Sequence, residues 1–468
     1  MNRSGRHIRG VLATTVVALV LLHPVRAQHE SASRFAALQD IARLELQETR
    51  TPGAALALVD GDKVVFSAGV GVADVESSSP VRPDMLFRLG STTKMFTATA
   101  LVALADEGRL SLDSPIGSTV PGLDAAIARL TPNQLLSHTA GLRDEAPMFG
   151  RQDDDALGAG IRAMKASMFF TEPAAVYSYA NPGYWIAGFV VEHVAGKPYA
   201  DAMQERVFAR LGMTHSTFRP MMAMTFPLAQ GHEATGTQAP SVIRPAANNV
   251  ATWPAGSLFS TVQDLSRFVI AFMNQGRIDG RDVLKPGVIA KLSTPHAAIP
   301  GGNASYGYGL ELSERGGIRL VSHGGSRAGY GSTIMMAPHR RAAAILLGNR
   351  TGSGLPRTAR RAMEMLLQLP EKALDVPMSS TSTVSPESLA AWAGRYSQGS
   401  SGSIEIVLKD GALSVREGGR EQRATPQGAL QLSVDAGGAA PATWTLIPDR
   451  YGKPAYVFRG GRAYRKAS

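Results

Sequence analysis

"GAALALVDGDKVVFSAGVGVAD", residues 53–74, decides the fold. Two apolar-rich runs meet at Asp60-Gly61, a dipeptide that accepts the positive φ a tight hairpin turn needs. The chain therefore begins its core with paired strands. Strand patterns return only much later, at residues 306–312, 318–322, 331–336 and 341–347, followed by a helix near 358–367. From Lys94 to about Arg281 the pattern is mainly helical, with helices expected at 182–194, 199–211 and 263–274. "LTPNQLLSH" offers Thr131 as an N-cap and Pro132 at the first helical position. Strands at both ends and helices between predict an α+β fold. One antiparallel sheet is flanked by helices, and a large helical insertion sits beside it.

Beyond that unit, residues 371–388, "EKALDVPMSSTSTVSPES", are polar and Ser/Thr/Pro-rich, as a linker is. The rest reads as short strands with Gly-rich turns, including a hairpin about Asp410-Gly411, and predicts a small C-terminal all-β barrel or sandwich. The expected division is 1–27 signal peptide, 28–370 main domain, 371–388 linker and 389–468 β-domain. The linker is expected to leave that last domain separable from the rest.

The N-terminus carries Arg3, Arg6 and Arg9, then an apolar run over 11–22, then "HPVRAQ" with Val25 and Ala27 small enough for a signal peptidase. Export, to the periplasm, follows. The apolar run is shorter than the roughly 20 residues a membrane span needs. No other segment is long and apolar enough to cross, so no transmembrane span is expected after signal removal. Four arginines leave with the signal, taking the formal charge from +10 to +6. Such a balance on a large exported chain points to a solvated basic surface rather than to nucleic acid. The chain has no cysteine, which excludes disulfides, thiolate nucleophiles and a lipoprotein anchor. No P-loop, no HExxH and no metal-ligand cluster stands out among its ten scattered histidines, so neither metal nor cofactor is expected. The oligomeric state is not written in the sequence.

Three stretches carry chemistry. In "FRLGSTTKMFTATALVALADEGRL" Ser91 and Lys94 lie three apart at the mouth of an almost wholly apolar helix. Residues so spaced share a helix face. Burial penalises the ammonium form and lowers its pKa. A neutral amine beside a hydroxyl can take its proton and make the serine a nucleophile. In "VYSYANPGYW" Tyr179 and Asn181 flank one residue, and Pro182 biases Asn181 toward an extended backbone with both side chains on one side. A phenol can relay a proton, and an amide can hold a lysine or a carbonyl. In "LVSHGGSRAGYGS" Gly324-Gly325 ends a strand and would let a substrate backbone come close, while the Ser326 N–H joins that of Ser91 in an oxyanion hole. Each stretch alone has an ordinary alternative: an N-cap serine, an aromatic loop, a Gly-rich turn with His323 at the surface. His138, in "LLSHTAGL", reads as structural, at a helix end with a glycine stop.

Taken in order, the three stretches resemble the serine β-lactamase and penicillin-binding-protein superfamily, in its class C-like branch, which also holds esterases and D-amino-acid peptidases. The resemblance runs over roughly residues 33–369 and extends to "LTPNQLLSHTAGL", "RLGMTHSTF" and "PAGSLFSTVQDLSRF". It implies Ser91 as nucleophile, Lys94 as its base partner, and Tyr179 and Asn181 as the Tyr-x-Asn element. It also implies that His323, Gly324 and Gly325 stand where lactamases carry Lys-Thr-Gly. The C-terminal strands resemble the lipocalin-like domain of some relatives.

The histidine is a departure, because a neutral imidazole lacks the fixed charge that holds a substrate carboxylate. The expected function is an exported serine hydrolase acting through an acyl-enzyme on an ester, amide or peptide. A D,D-carboxypeptidase or true β-lactamase, and a non-catalytic binder of cell-wall fragments, remain the alternatives. Arg327 is close enough in sequence to supply the missing charge, but nothing in the sequence directs it inward.

Overall fold

A computed structural model describes residues 35–375, 386–399, 402–435 and 441–467. The signal segment 1–27 lies outside them, as does most of the linker. The central sheet has nine antiparallel strands. In spatial order they are Ala297–Ala298, Ser305–Tyr306, Glu311–Arg315, Ile318–Arg327, Tyr330–Ala337, Ala342–Gly348, Gly53–Asp60, Lys63–Asp74 and Ser79–Pro80. The strand Gly53–Asp60 is buried along seven of its eight residues, so it reads as one apolar run rather than an alternation. It pairs on one side with Lys63–Asp74 through a Gly61-Asp62 turn. On the other it pairs with Ala342–Gly348, nearly 300 residues on. The two ends of the unit thus close one sheet, as the strand pattern predicts.

Helices cover both faces. The helix Thr93–Asp106 is buried on almost every side, in the larger core with Asn181–Ala195 and Val262–Met273. Pro356–Leu366 packs on the opposite face with Phe35, Leu38 and Ala42. The helix Pro132–Leu136 is opened by the expected Thr131 cap, in a full capping box with Gln134.

Two local expectations fail, and one helix carries an irregular turn. Residues 306–312 are not one strand. The chain turns between Ser305–Tyr306 and Glu311–Arg315, where Tyr308 N–H bonds Leu292 O and Gly307 N–H bonds Leu310 O. The helix expected over 199–211 is present throughout, with a π-helical turn at Gln204–Phe208 inside it. After Pro132–Leu136 the left-handed residue that breaks the chain is His138, at φ 59°, ahead of Gly141.

The C-terminal strands Gly394–Ser397, Ser403–Lys409, Ala412–Glu417, Arg420–Pro426, Gln431–Val434, Ala442–Pro448, Pro454–Arg459 and Arg462–Lys466 form a closed eight-stranded barrel. Tyr396, Trp444, Val415 and Val457 fill it. The barrel is not a detached appendage. Phe458 and Ala463 share an apolar cluster with Val176, Tyr177 and Tyr306. Ser178 Oγ accepts from Ala463 N (3.1 Å) and from Gln398 Nε2 (3.2 Å), and Thr171 and Tyr456 join through their hydroxyls at 2.7 Å. These contacts hold the barrel against the main unit, and a separable tail would have to give them up. They come from strands, so a polar linker carries no sign of them.

Candidate active site

Ser91 lies in a 3₁₀ turn, Gly90–Thr92, that runs straight into the helix Thr93–Asp106. Gly90 has φ 59°, and a Cβ there would stand 2.5 Å from Ser326 N. Only glycine allows both that conformation and that approach. The same pressing together involves Gly325, where a Cβ would meet Leu89 O at 1.9 Å. It is therefore the protein's own backbone, not a substrate, that uses the space at Gly325; Gly324 alone is open and exposed. Ser332 Oγ holds the turn by donating to Leu89 O at 2.5 Å. Ser91 and Ser326 consequently stand side by side at the wall of two cavities.

Lys94 is 0% exposed. Its Nζ lies 3.3 Å from Ser91 Oγ, 2.7 Å from Asn181 Oδ1 and 2.8 Å from Ala255 O. Two of these neighbours only accept hydrogen bonds. A neutral amine has two N–H groups to give them, which leaves its lone pair for the serine. Burial drives the pKa down to about 7, while Asp144 pulls it up and Arg462 pushes it down. The ammonium is thus nearly balanced against the amine at neutral pH.

Asn181 is not extended: it opens the helix Asn181–Ala195, with Ala180 as the extended N-cap residue. Its amide still reaches Lys94, because Asp144 holds it from behind. Asp144 Oδ1 accepts from Asn181 N (2.8 Å) and Nδ2 (3.0 Å). Asp144 Oδ2 in turn takes Arg462 Nε at 2.8 Å. Arg462 belongs to the last barrel strand, and its neighbour Gly461 accepts the Tyr179 N–H at 2.9 Å. The barrel thus reaches Lys94 through Arg462, Asp144 and Asn181, a chain that sequence reading misses. Asp144 sits in an irregular loop and Arg462 is over 300 residues away, so no spacing links them.

The Tyr179 ring centroid is 4.7 Å from Lys94 Nζ and 5.3 Å from the Arg462 guanidinium carbon. Its hydroxyl is buried without a well-aligned hydrogen bond, though Ser91 is near enough to lower its pKa. Burial outweighs that and pushes the phenol far above its ordinary value, so it stays protonated. His138 packs directly behind, its ring 4.2 Å from that of Tyr179, and its Nδ1 accepts the Ala180 N–H at 3.1 Å. Burial holds it neutral. A structural histidine is what the sequence predicts, but not one that backs Tyr179.

His323 is buried, not at the surface. Its Nδ1 is 2.6 Å from Gly324 O and its Nε2 is 2.9 Å from the Tyr306 hydroxyl. That network assigns the proton to Nδ1, with Nε2 accepting from Tyr306. Burial lowers the pKa to about 3. The ring is neutral, with both nitrogens engaged inside the protein.

The larger cavity beside Ser91, about 620 Å³, is lined by Tyr179, Tyr306 and His323 from the main unit and by Phe458, Gly461 and Arg462 from the barrel. On the other side of Ser91 is a small one of about 80 Å³.

The family model described as Beta-lactamase matches residues 35–368. Penicillin-binding protein 4 of Amycolatopsis lactamdurans is 31% identical over 319 residues, covering 64% of this chain and 82% of that one. The D-aminopeptidase of Brucella anthropi is 27% identical over 380 residues, 80% of this chain and 68% of that one. Among solved structures, that of SurE superposes with a TM-score of 0.72 at 22% identity, over 93% of this chain and all of that one, so the likeness in fold extends through the barrel. With its family model spanning most of the main unit, the chain belongs to the Beta-lactamase family and is a serine hydrolase of that family.

Proposed function

We propose that the chain is an exported hydrolase that forms an acyl-enzyme on Ser91, acting on short acyl esters, amides or peptides that need no terminal carboxylate in the main cleft. Residues 1–27 serve as the signal, 28–370 as the hydrolase domain, 371–388 as the linker and 389–468 as a barrel domain that caps the cleft. The observation that carries this reading is the fully buried Lys94 amine at 3.3 Å from Ser91 Oγ, with its N–H groups committed to Asn181 and Ala255. Lys94 takes the serine proton as Ser91 attacks the carbonyl. The backbone N–H groups of Ser91 and Ser326 hold the oxyanion. Tyr179, kept protonated by burial, passes its proton to the leaving group and is reprotonated by the Lys94 ammonium, so that Lys94 is neutral again when water attacks. Water then repeats the sequence and releases the acid.

His323 supports the substrate class. As a neutral ring with both nitrogens bonded within the protein, it offers a carboxylate in the cleft no charge. A charge-assisted hydrogen bond is worth about 1.5–3 kcal/mol, or roughly ten- to a hundredfold. Short 4-nitrophenyl esters and amino-acid amides are therefore expected to be hydrolysed with at least tenfold higher kcat/KM than a chromogenic cephalosporin. Efficient cephalosporin turnover that exceeds ester turnover favours the β-lactamase alternative. A protein that binds cell-wall fragments but turns over none of these substrates favours the non-catalytic one.

The pH profile has a defined sign. Lys94 is the active base only when neutral, so kcat/KM rises with pH through about 7. Removing the barrel's Arg462 by Arg462→Met leaves Asp144 uncompensated, which favours the protonated amine. The acid limb then moves upward, by roughly one pH unit. An unmoved limb in a folded Arg462→Met protein contradicts the proposed coupling of the barrel to Lys94.

A further inference from the structure

The small cavity beside Ser91 is lined by Ala146, Pro147, Asn181, Trp185, Ser326 and Arg327, among others, and no lining residue is acidic. Arg327 is half-buried; its Nε and Nη2 are sealed from solvent without a hydrogen-bond partner. Trp185 Nε1, on the same wall, is likewise buried and unpartnered. Behind them lies a second guanidinium, Arg88. Its Nη1 donates to Ala247 O, its carbon sits 4.9 Å from the Phe259 ring centroid, and its Nε and Nη2 are unpartnered. Among the described residues neither arginine meets a carboxylate in an ion pair, and the charge of Arg88 adds to the cost of charge on Arg327. Burying a guanidinium without its hydrogen bonds is costly, and a protein tolerates it where something else supplies them.

The two cavities have different chemistry. Tyr179, the proton donor for the departing group, lines the wide cleft and not the small cavity. The leaving group therefore departs through the cleft, and the small cavity is left for the acyl portion. At about 80 Å³ it has room for a group the size of two or three water molecules.

The geometry points to an anionic acyl subsite: Arg327, which lines the small cavity with Trp185, receives a small carboxylate on the acyl side of the substrate, as in a half-ester or half-amide of a short dicarboxylic acid. This deepens the proposed function, since it rests on Ser91 as the acylated residue. It explains how a hydrolase whose cleft offers a neutral His323, and an Arg462 already paired with Asp144, can still select a charged substrate through the smaller cavity.

The test has a binding arm and a turnover arm. In the first, propionate and its uncharged isostere propionamide are titrated into the full-length wild-type protein by calorimetry, with Trp185 fluorescence as the local reporter. Propionate is expected to bind at least tenfold more tightly and to perturb the fluorescence. That preference disappears in Arg327→Met and persists in part in Arg327→Lys, which keeps the charge. Fluorophosphonate labelling checks that each variant is folded. In the second arm, 4-nitrophenyl half-esters of malonic, succinic and glutaric acid are compared with methyl-terminated isosteres after subtraction of spontaneous hydrolysis. The best half-ester is expected to exceed its isostere at least tenfold in kcat/KM, and the ratio to fall to about one in Arg327→Met. Equal binding of propionate and propionamide by the wild type, or a preference that survives in Arg327→Met, overturns the subsite. Propionate binding through Arg327 without turnover of any ester leaves the subsite standing and sinks the proposed hydrolysis.

Discussion

Ser91→Ala will lower kcat/KM by a factor on the order of 10⁴ or more, leaving the residual rate that binding and backbone donors supply. The change deletes one hydroxyl. It removes the only atom through which the proposed acyl-enzyme forms, but it keeps the Ser91 N–H, the 3₁₀ turn and the pressing of Gly90 on Ser326. Ser91 caps no helix by its side chain, since the residues that open the 3₁₀ turn and the helix behind it show no side-chain cap bond. The expected cost in stability is accordingly within about 1 kcal/mol. Lys94 keeps Asn181 and Ala255 as partners. A folded Ser91→Ala protein that retains more than a few per cent of wild-type turnover moves the nucleophile elsewhere.

Lys94→Arg will be about as inactive as Lys94→Met, both down on the order of 10³-fold or more. A guanidinium holds its proton at every working pH and cannot take one from Ser91. Methionine nearly matches the lysine stem and leaves the buried site uncharged, so it separates loss of the base from loss of folding. Arginine brings a larger charge into a position with no exposure and only two committed acceptors, so its thermal midpoint is expected to fall as well. The discriminating result is activity. A Lys94→Arg protein near wild-type rate reduces Lys94 to a fixed positive charge.

Much of this site is legible in the sequence because its parts are local. Ser91 and Lys94 announce themselves by spacing within one apolar helix, and Tyr179 and Asn181 by a two-residue interval before a proline. Asn181 shows the limit of that reasoning. A residue before proline is disfavoured in a helix, yet Asn181 opens one, with its N–H taken by Asp144. The pairing of Gly53–Asp60 with Ala342–Gly348 is legible too, since strands segregate to the two ends of the pattern.

What escapes is tertiary. Asp144 lies in a loop and Arg462 in a barrel strand, and neither position has a periodic or motif signature that ties it to Lys94. The barrel's docking is written in residues 456–463, not in the polar linker that suggests independence. Arg327 is more accessible to such reasoning. Counting alternate residues from His323 along a strand puts 325 and 327 on its face. The neighbouring strand stops pairing at Ser322, which leaves this edge beside Ser91, and no residue pattern marks that end.

The central claim, a covalent intermediate on Ser91, is tested most directly by mass. Full-length protein is exposed to a fluorophosphonate, its intact mass is read, and the adduct is mapped by proteolysis. The account predicts one equivalent, carried by the peptide that contains Ser91, and no adduct on Ser91→Ala under the same conditions. An adduct on another residue, or a Ser91→Ala protein labelled as fully as the wild type, contradicts it.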